Sequence, residues 1–194
     1  FDKYQQGIVR LKKDAEAAGA KIVFLTPPFF DGRTKPFYTD VLAKYSQWLV
    51  SKRDDGWMVI DVNTSMTSAI MAQRENDPSF TVQPDCVHPT VAGHWMMAQA
   101  VIRWFGDEKA ASANSVEEML RAEDLDPEIA KFCFRRMAVL RDAWLTKTGH
   151  KRPGVPKGKS IPDAEKSAEE ISARMASYAQ REAQVSEQVV EGDD

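Results

Sequence analysis

The sequence predicts an α/β fold with parallel strands. Two short β-rich apolar runs, residues 21–26 and 57–62, are each preceded by a stretch with the apolar spacing of an amphipathic helix. Strands without polar alternation are typical of parallel sheets, which helices cover on both faces. Helix and strand alternating at this pitch therefore favour parallel strands joined by right-handed crossovers.

Local signals place the ends of these elements. Apolar residues three and four positions apart predict a first helix over residues 1–18, which Gly19 can end in the left-handed conformation. A second apolar stripe predicts a helix that ends before Gly56. Asn63 follows the second β-rich run and is a candidate N-cap for a third helix.

The rest of the chain predicts mainly helices. Residues 76–89 predict a loop, after which Thr90 caps a helix that is apolar on most sides and is expected to be buried. Beyond Gly106 the pattern changes to separately capped helices. A segment rich in Lys, Gly and Pro then precedes a last amphipathic helix, whose apolar spacing requires a surface to dock on.

We therefore predict three segments, which are an α/β part over residues 1–106, a helical extension over 107–149, and a basic linker with a terminal helix over 150–194. The chain begins within a helical pattern at Phe1, so we expect a piece of a longer polypeptide. Any signal peptide, and with it the cellular destination, would then lie upstream.

Composition excludes several classes of protein. Of 194 residues, 43% are hydrophobic and 28% charged, which is typical of globular chains. The net charge of −3 provides no basic excess for nucleic acid. No apolar run approaches the roughly 20 residues of a membrane-spanning helix. Cys86 and Cys133 are too few for a disulfide framework, so we expect two unpaired buried thiols, with a single bridge as the alternative.

The loop before Thr90 carries the strongest chemical signal, because Asp85 stands three residues before His88 and Pro89 follows at once. A histidine with an ordinary pKa of about 6.5 can accept a proton from an attacking hydroxyl and return it to a leaving group. A nearby carboxylate can fix its tautomer and stabilise the imidazolium. The same two residues also occur together as a simple turn and helix cap, so a structural interpretation stays open.

The block Asp85-x-x-His88-Pro89, followed by Gly93, resembles the last sequence block of the SGNH, or GDSL-type, hydrolases. The two β-rich runs are similar to the strands that precede this block in the family, and the resemblance covers roughly residues 1–106. It implies a three-layer α/β/α sandwich with a flavodoxin-like parallel sheet. It also implies a serine esterase that needs no metal or organic cofactor, with His88 as the base and Asp85 as the third triad member.

The family's Gly-Asp-Ser and Gly-x-Asn-Asp blocks have no match in this chain, so no nucleophile or oxyanion-hole residue is assigned. The serines considered lie outside any nucleophile-elbow pattern; they are Ser46, Ser65, Ser68 and Ser79. We therefore expect the C-terminal half of a hydrolase of carbohydrate or lipid acyl esters, inactive by itself. Half a parallel sheet would leave an unpaired strand edge, which favours self-association, although no oligomeric state is assigned.

Two further histidines and one loop are also candidates for a site. A metal site of Asp85, His88 and His94 is disfavoured, because His94 lies on a helix and no further His or Cys supports the set. We expect His94 to be buried and hydrogen-bonded, and His150 to belong to an ordered turn. Residues 29–31 leave the end of a predicted strand, where loops of parallel sheets line ligand sites, and therefore predict a substrate wall.

The alternative hypothesis is a non-catalytic α/β module. In that case the terminal helix and the basic arm, residues 151–159, would recruit a protein or an anionic polymer. His88 would then be a structural cap and not a base.

Overall fold

The computed structural model describes the backbone of residues 1–33, 36–151 and 153–191, and the side chains of these ranges apart from Pro36 and residues 182–191. The chain divides into two compact units, Phe1–Ser115 and Val116–Asp194. The first unit extends past residue 106 because the following segment packs back onto it. Trp95 Nε1 donates a hydrogen bond to the carbonyl oxygen of Ala113 at 2.8 Å.

The first unit contains a small parallel sheet of two strands, β1 (Val23–Leu25) and β2 (Met58–Ile60), with Phe24 opposite Val59. The described residues otherwise form eight helices. The predicted three-layer α/β/α sandwich is therefore wrong. The chain has only two β-rich runs, and the wider sheet came from the family resemblance and not from residues present here.

Five helices belong to the first unit: α1 (Asp2–Ala17), α2 (Pro36–Ser51), α3 (Val62–Asn76), α4 (Val91–Trp104) and α5 (Glu108–Ser112). Gly19 after α1 and Gly56 after α2 have φ angles of +78° and +77°. Both lie in the left-handed region that glycine enters without steric cost. The predicted end of α1 at Gly19 is confirmed. The helix predicted before Gly56 is present, but it ends at Ser51, and a turn over residues 52–56 follows it.

The sheet is packed between two apolar clusters. Phe24 and Val59 are buried with Leu49 of α2, and partly buried side chains of α1 pack against them. Ile60 is buried in a second cluster, whose other members include Met66 of α3 and Ala100 of α4. These clusters explain why short strands persist, since most of their side chains are removed from water.

Burial of the predicted elements is less complete than the sequence suggests. Leu25 on β1 is exposed, so this strand is not buried on both faces. Helix α4 buries Trp95 and Ala100, but Val91 at its start retains 87% of its accessible surface. Trp104 in its last turn is also exposed, so the prediction of a largely buried α4 is wrong at both ends of the helix.

Helix caps show one confirmed and one corrected prediction. Thr90 caps α4, because its Oγ1 accepts a hydrogen bond from Gly93 N at 3.3 Å. The cap of α3 is Asp61 and not Asn63, since Asp61 Oδ1 accepts from Thr64 N at 3.1 Å. Asn63 instead donates from Nδ2 to the carbonyl oxygen of Pro27 at 3.1 Å, which ties α3 to the end of β1.

The second unit contains α6 (Val116–Ala122), α7 (Glu128–Lys147) and α8 (Ile161–Glu191). Helix α8 packs on α7 with Ala164 and Ala168 fully or nearly fully buried, which confirms that the terminal helix docks. In the predicted linker, Gly158 N donates to Thr146 Oγ1 of α7 at 2.8 Å. Arg152 of the basic arm lies outside the described residues.

Both cysteines are unpaired thiols, as predicted, but neither is buried. Cys86 is half-buried and Cys133 is exposed, with its Sγ 3.8 Å from Met175 Sδ. None of the described helices combines the length and apolar character needed to cross a bilayer.

Candidate functional site

Asp85 and His88 are in direct contact in the loop between α3 and α4. His88 Nδ1 lies 2.6 Å from Asp85 Oδ2. The His88 side chain is 81% exposed and that of Asp85 55% exposed. The contact engages Nδ1 and leaves the other ring nitrogen, Nε2, without this carboxylate as a partner. This geometry suits an imidazole held as the Nδ1–H tautomer with a basic Nε2.

Backbone hydrogen bonds also hold the carboxylate. Asp85 Oδ1 accepts from His88 N at 2.7 Å and from Val87 N at 3.0 Å. The His88 ring and these two N–H groups hold the pKa of the Asp85 carboxyl well below its ordinary value. Asp85 therefore stays ionised at neutral pH and can stabilise an imidazolium beside it.

The loop that carries the pair is closed by short backbone contacts. Thr90 N donates to the carbonyl oxygen of Val82 at 2.7 Å, so the two ends of the loop meet. Cys86 adopts a φ angle of +67°, which is uncommon for a residue with a side chain. Gly93 allows α4 to approach the loop, because a Cβ there would lie 2.9 Å from Pro89 Cβ and 3.1 Å from the Val82 oxygen.

A buried carboxylate, that of Asp31, is joined to two arginines and a threonine and is linked to this loop through Gln83. The Asp31 side chain has no exposed surface. Its Oδ1 accepts from Arg33 Nε at 2.8 Å, and its Oδ2 accepts from Arg74 Nη2 at 2.7 Å and from Thr81 Oγ1 at 3.0 Å. Burial raises the pKa of Asp31, but hydrogen bonds from Arg33, Thr81 and Arg74 outweigh it and lower the pKa to about 2. The cluster is therefore an ionised, structural tie between segments.

The predicted substrate wall is not observed. Phe29, Phe30 and Asp31 are all buried, and Phe29 belongs to the core cluster that contains Ile60. These three side chains therefore present almost no surface to a ligand. The segment contributes to folding, since it carries apolar side chains into the core and a carboxylate to two arginines.

The other sequence candidates lie apart from the pair or differ from expectation. His94 is exposed on α4, so the prediction that it is buried is wrong. His150 lies in an ordered turn after α7, as predicted, with its N–H donating to the Leu145 oxygen at 3.2 Å. Within the described ranges, no three or more His, Cys, Asp or Glu side chains are grouped closely enough to hold a metal ion.

The four serines named above do not supply a nucleophile to His88. Ser46 Oγ donates to the Leu42 oxygen at 2.9 Å and Ser65 Oγ to the Asp61 oxygen at 3.1 Å, both within helices. Ser79 Oγ donates to Asp77 Oδ1 at 2.6 Å, and Ser68 is exposed on α3. These contacts occupy three of the four hydroxyls with neighbours in the sequence.

Sequence reasoning missed the roles of Asp31 and Gln83. Gln83 is 1% exposed, and its Oε1 accepts from Asp31 N at 3.0 Å. One signal was available for Asp31, because a carboxylate directly after two phenylalanines at a strand end is expected to be buried and paired. No local signal identified Gln83, since the buried partners of its side chain, Asp31 N and the Phe29 oxygen, are distant in the sequence. Comparison with family models, with curated proteins and with solved structures finds no match to this chain.

Proposed function

We propose that Asp85 and His88 are the acid–base part of a serine ester hydrolase of SGNH type, whose nucleophile is not among these 194 residues. The observation that carries the proposal is the 2.6 Å contact between His88 Nδ1 and Asp85 Oδ2 on an exposed ring. One nitrogen is fixed by a carboxylate, and the ring remains accessible to a reacting hydroxyl. The sequence resemblance supplies the reaction class.

In the proposed reaction, His88 Nε2 removes the proton of the serine hydroxyl while the oxygen attacks the ester carbonyl. Asp85 keeps the proton on Nδ1 and stabilises the imidazolium that forms. The imidazolium then protonates the leaving alcohol, and the acyl group remains on the serine. Water attacks the acyl-enzyme with His88 again as base, which releases the carboxylic acid and regenerates the serine.

The substrate class we propose is an acyl ester of a carbohydrate or lipid. Two apolar side chains near His88 in the sequence support an acyl group at this place. Val87 and Val91 are 54% and 87% exposed. The described residues do not enclose the ring, so the proposed cleft requires additional groups together with the serine.

The test uses the full-length polypeptide and a short chromogenic acyl ester. His88→Ala should reduce kcat/KM by about 10³-fold, since general acid–base groups contribute about 10²–10⁴-fold. Asp85→Asn should cause a smaller loss, because the carboxylate orients the base and does not itself transfer the proton. His94→Ala is the matched control, since His94 is an exposed histidine on the neighbouring helix, and should leave turnover unchanged.

Unchanged turnover in a folded His88→Ala protein would overturn the proposal. The non-catalytic alternative would then be favoured by one observation. Asp85 Oδ1 accepts from two backbone N–H groups, as a residue that only braces a turn would. In that case Asp85→Ala would lower stability and His88→Ala would change nothing measurable.

A further inference from the structure

The buried side chain of Gln83 lies beneath the loop that carries Asp85 and His88. Its Nε2 donates to the carbonyl oxygen of Phe29 at 2.6 Å and to that of Val87 at 3.4 Å. Its Oε1 accepts from Asp31 N at 3.0 Å. One carboxamide thus joins the segment that leaves β1 to the residue immediately before His88.

We propose that Gln83 is a positioning residue that holds His88 in contact with Asp85. The inference rests on the proposed function, because the orientation of this ring affects catalysis only where His88 is the base. Gln83 itself touches neither the His88 ring nor any reacting atom. Its side chain acts through the Val87 carbonyl. Its backbone acts through the turn in which Cys86 N donates to the backbone carbonyl oxygen of Gln83 at 2.8 Å.

The chemistry of a carboxamide explains why glutamine suits this place. The site offers one N–H group that needs an acceptor and two carbonyl oxygens that need donors. The contacts with Asp31 N and with the Phe29 oxygen are buried, whereas the contact with the Val87 oxygen is only partly buried. A neutral amide provides both kinds of group, whereas a carboxylate would face two carbonyl oxygens without a proton to donate. The buried N–H of Asp31 and the buried carbonyl of Phe29 would be left unpaired if the amide moved, which is unfavourable, so the amide favours one loop position.

Asp31, which contacts the Gln83 side chain, is itself held by several hydrogen bonds. Asp31, whose N–H donates to Gln83, is held through its carboxylate by Arg74 of α3 and by Arg33. Thr81 Oγ1 both donates to Asp31 Oδ2 and accepts from Gln83 N at 3.0 Å. The Gln83 side chain is therefore held by Asp31 and its backbone by Thr81. These buried polar contacts support the loop that carries the exposed Asp85–His88 pair.

The test is an NMR measurement on the 194-residue chain, in which the ring nitrogens of its three histidines are observed by long-range ¹H–¹⁵N correlation. Above the pH at which the imidazole loses its proton, wild-type His88 should show the Nδ1–H tautomer. Gln83→Met keeps the side-chain length but removes both hydrogen-bonding groups. It should shift His88 toward the Nε2–H tautomer of a free imidazole and lose the Nδ1 proton resonance.

Gln99→Met is the matched control. Gln99 Nε2 also donates to two carbonyl oxygens of the first unit, those of Ala111 at 2.9 Å and Ala113 at 3.0 Å. This variant should lose stability but keep the wild-type His88 tautomer. A folded Gln83→Met protein that retains the Nδ1–H tautomer would show that Gln83 is merely structural.

If the Gln83→Met protein does not fold, hydrogen exchange in the wild-type chain still tests the inference. The carboxamide protons of Gln83 should exchange with solvent about tenfold or more slowly than those of exposed Gln6. Equal exchange rates would overturn the inference. Both NMR readouts are independent of turnover, so a failed His88→Ala hydrolysis test removes the proposed function while the tautomer shift reports separately on positioning.

Discussion

Arg74 of α3 reaches the buried carboxylate of Asp31, and its Nη2 lies 2.7 Å from Asp31 Oδ2. The same guanidinium donates from Nε to the Phe80 oxygen at 2.9 Å and lies over the Phe29 ring. Arg74 therefore joins α3, the segment after β1 and the start of the loop that carries the candidate pair. Its removal would affect all three.

Arg74→Ala should destabilise the first unit by about 3 kcal/mol, because loss of one partner of a buried ion pair leaves an under-compensated charge. Arg33 remains as a second cation beside Asp31, which keeps the loss at the lower end of the usual range. Urea denaturation followed by circular dichroism measures the change in the free energy of unfolding.

The matched control for this prediction is Arg10→Ala. Arg10 Nε lies 3.5 Å from Asp14 Oδ2, and both side chains are largely exposed. Exposed pairs of this kind contribute about 0–1 kcal/mol. Equal losses in the two variants would contradict the view that burial makes the Arg74 contact important.

The stability of the first unit should fall at acid pH partly through Asp31. Its pKa is about 2 in the folded protein against an ordinary value of 3.8. A carboxyl whose pKa is depressed by folding contributes stability above its ordinary pKa, and the contribution is lost as pH falls toward the folded pKa. The free energy of unfolding should therefore decrease between these two values as the solution is acidified.

Asp31→Asn isolates this contribution. The variant should be less stable at neutral pH, and its free energy of unfolding should depend less on pH below 3.8 than that of the wild type. Asp85, whose pKa is also lowered, remains in both proteins and contributes equally. An unaltered pH dependence in Asp31→Asn would show that Asp31 has no depressed pKa.

Gly93→Ala should destabilise the protein although alanine is the better helix former. The new Cβ would lie 2.9 Å from Pro89 Cβ and 3.2 Å from Val82 Cβ, so the loop would have to move. Overpacking of this kind costs about 1–3 kcal/mol, which exceeds the gain in helix propensity of about 1 kcal/mol.

Gly7→Ala provides the contrast, because Gly7 lies within α1 and a Cβ there meets nothing within 4 Å. This variant should be stabilised by about 0.5–1 kcal/mol through the same propensity. Thermal unfolding of both proteins gives the comparison. A stabilised Gly93→Ala protein would contradict the tight packing of α4 against the loop.

Several features of the fold were predictable because they depend on nearest neighbours. Thr90 caps α4 through a contact with a residue three positions away, and Gly19 ends α1 through its own backbone freedom. The cap of α3 was misassigned to Asn63 because Asp61 and Asn63 are both capable caps. Only the position of β2, which ends at Ile60, decides between them.

In the candidate site too, local contacts were predictable and tertiary packing was not. Asp85 and His88 are three residues apart, so a single turn can join them, and the sequence pattern predicted this contact before any tertiary information. The exposure of His94 and the burial of residues 29–31 depend on which surfaces the helices cover. Periodicity reports that a helix has an apolar side, but it does not report how much of that side finds a partner.

The sequence by itself determined the end of α1 at Gly19, the cap of α4 at Thr90, the two short strands and the Asp85–His88 contact, because all of these arise from interactions over a few residues. Tertiary structure alone decided that Asp31 and Gln83, 52 residues apart, form one buried polar cluster. The physical reason is that a buried carboxylate or amide must find partners, whereas local sequence does not specify which distant groups will be brought to it.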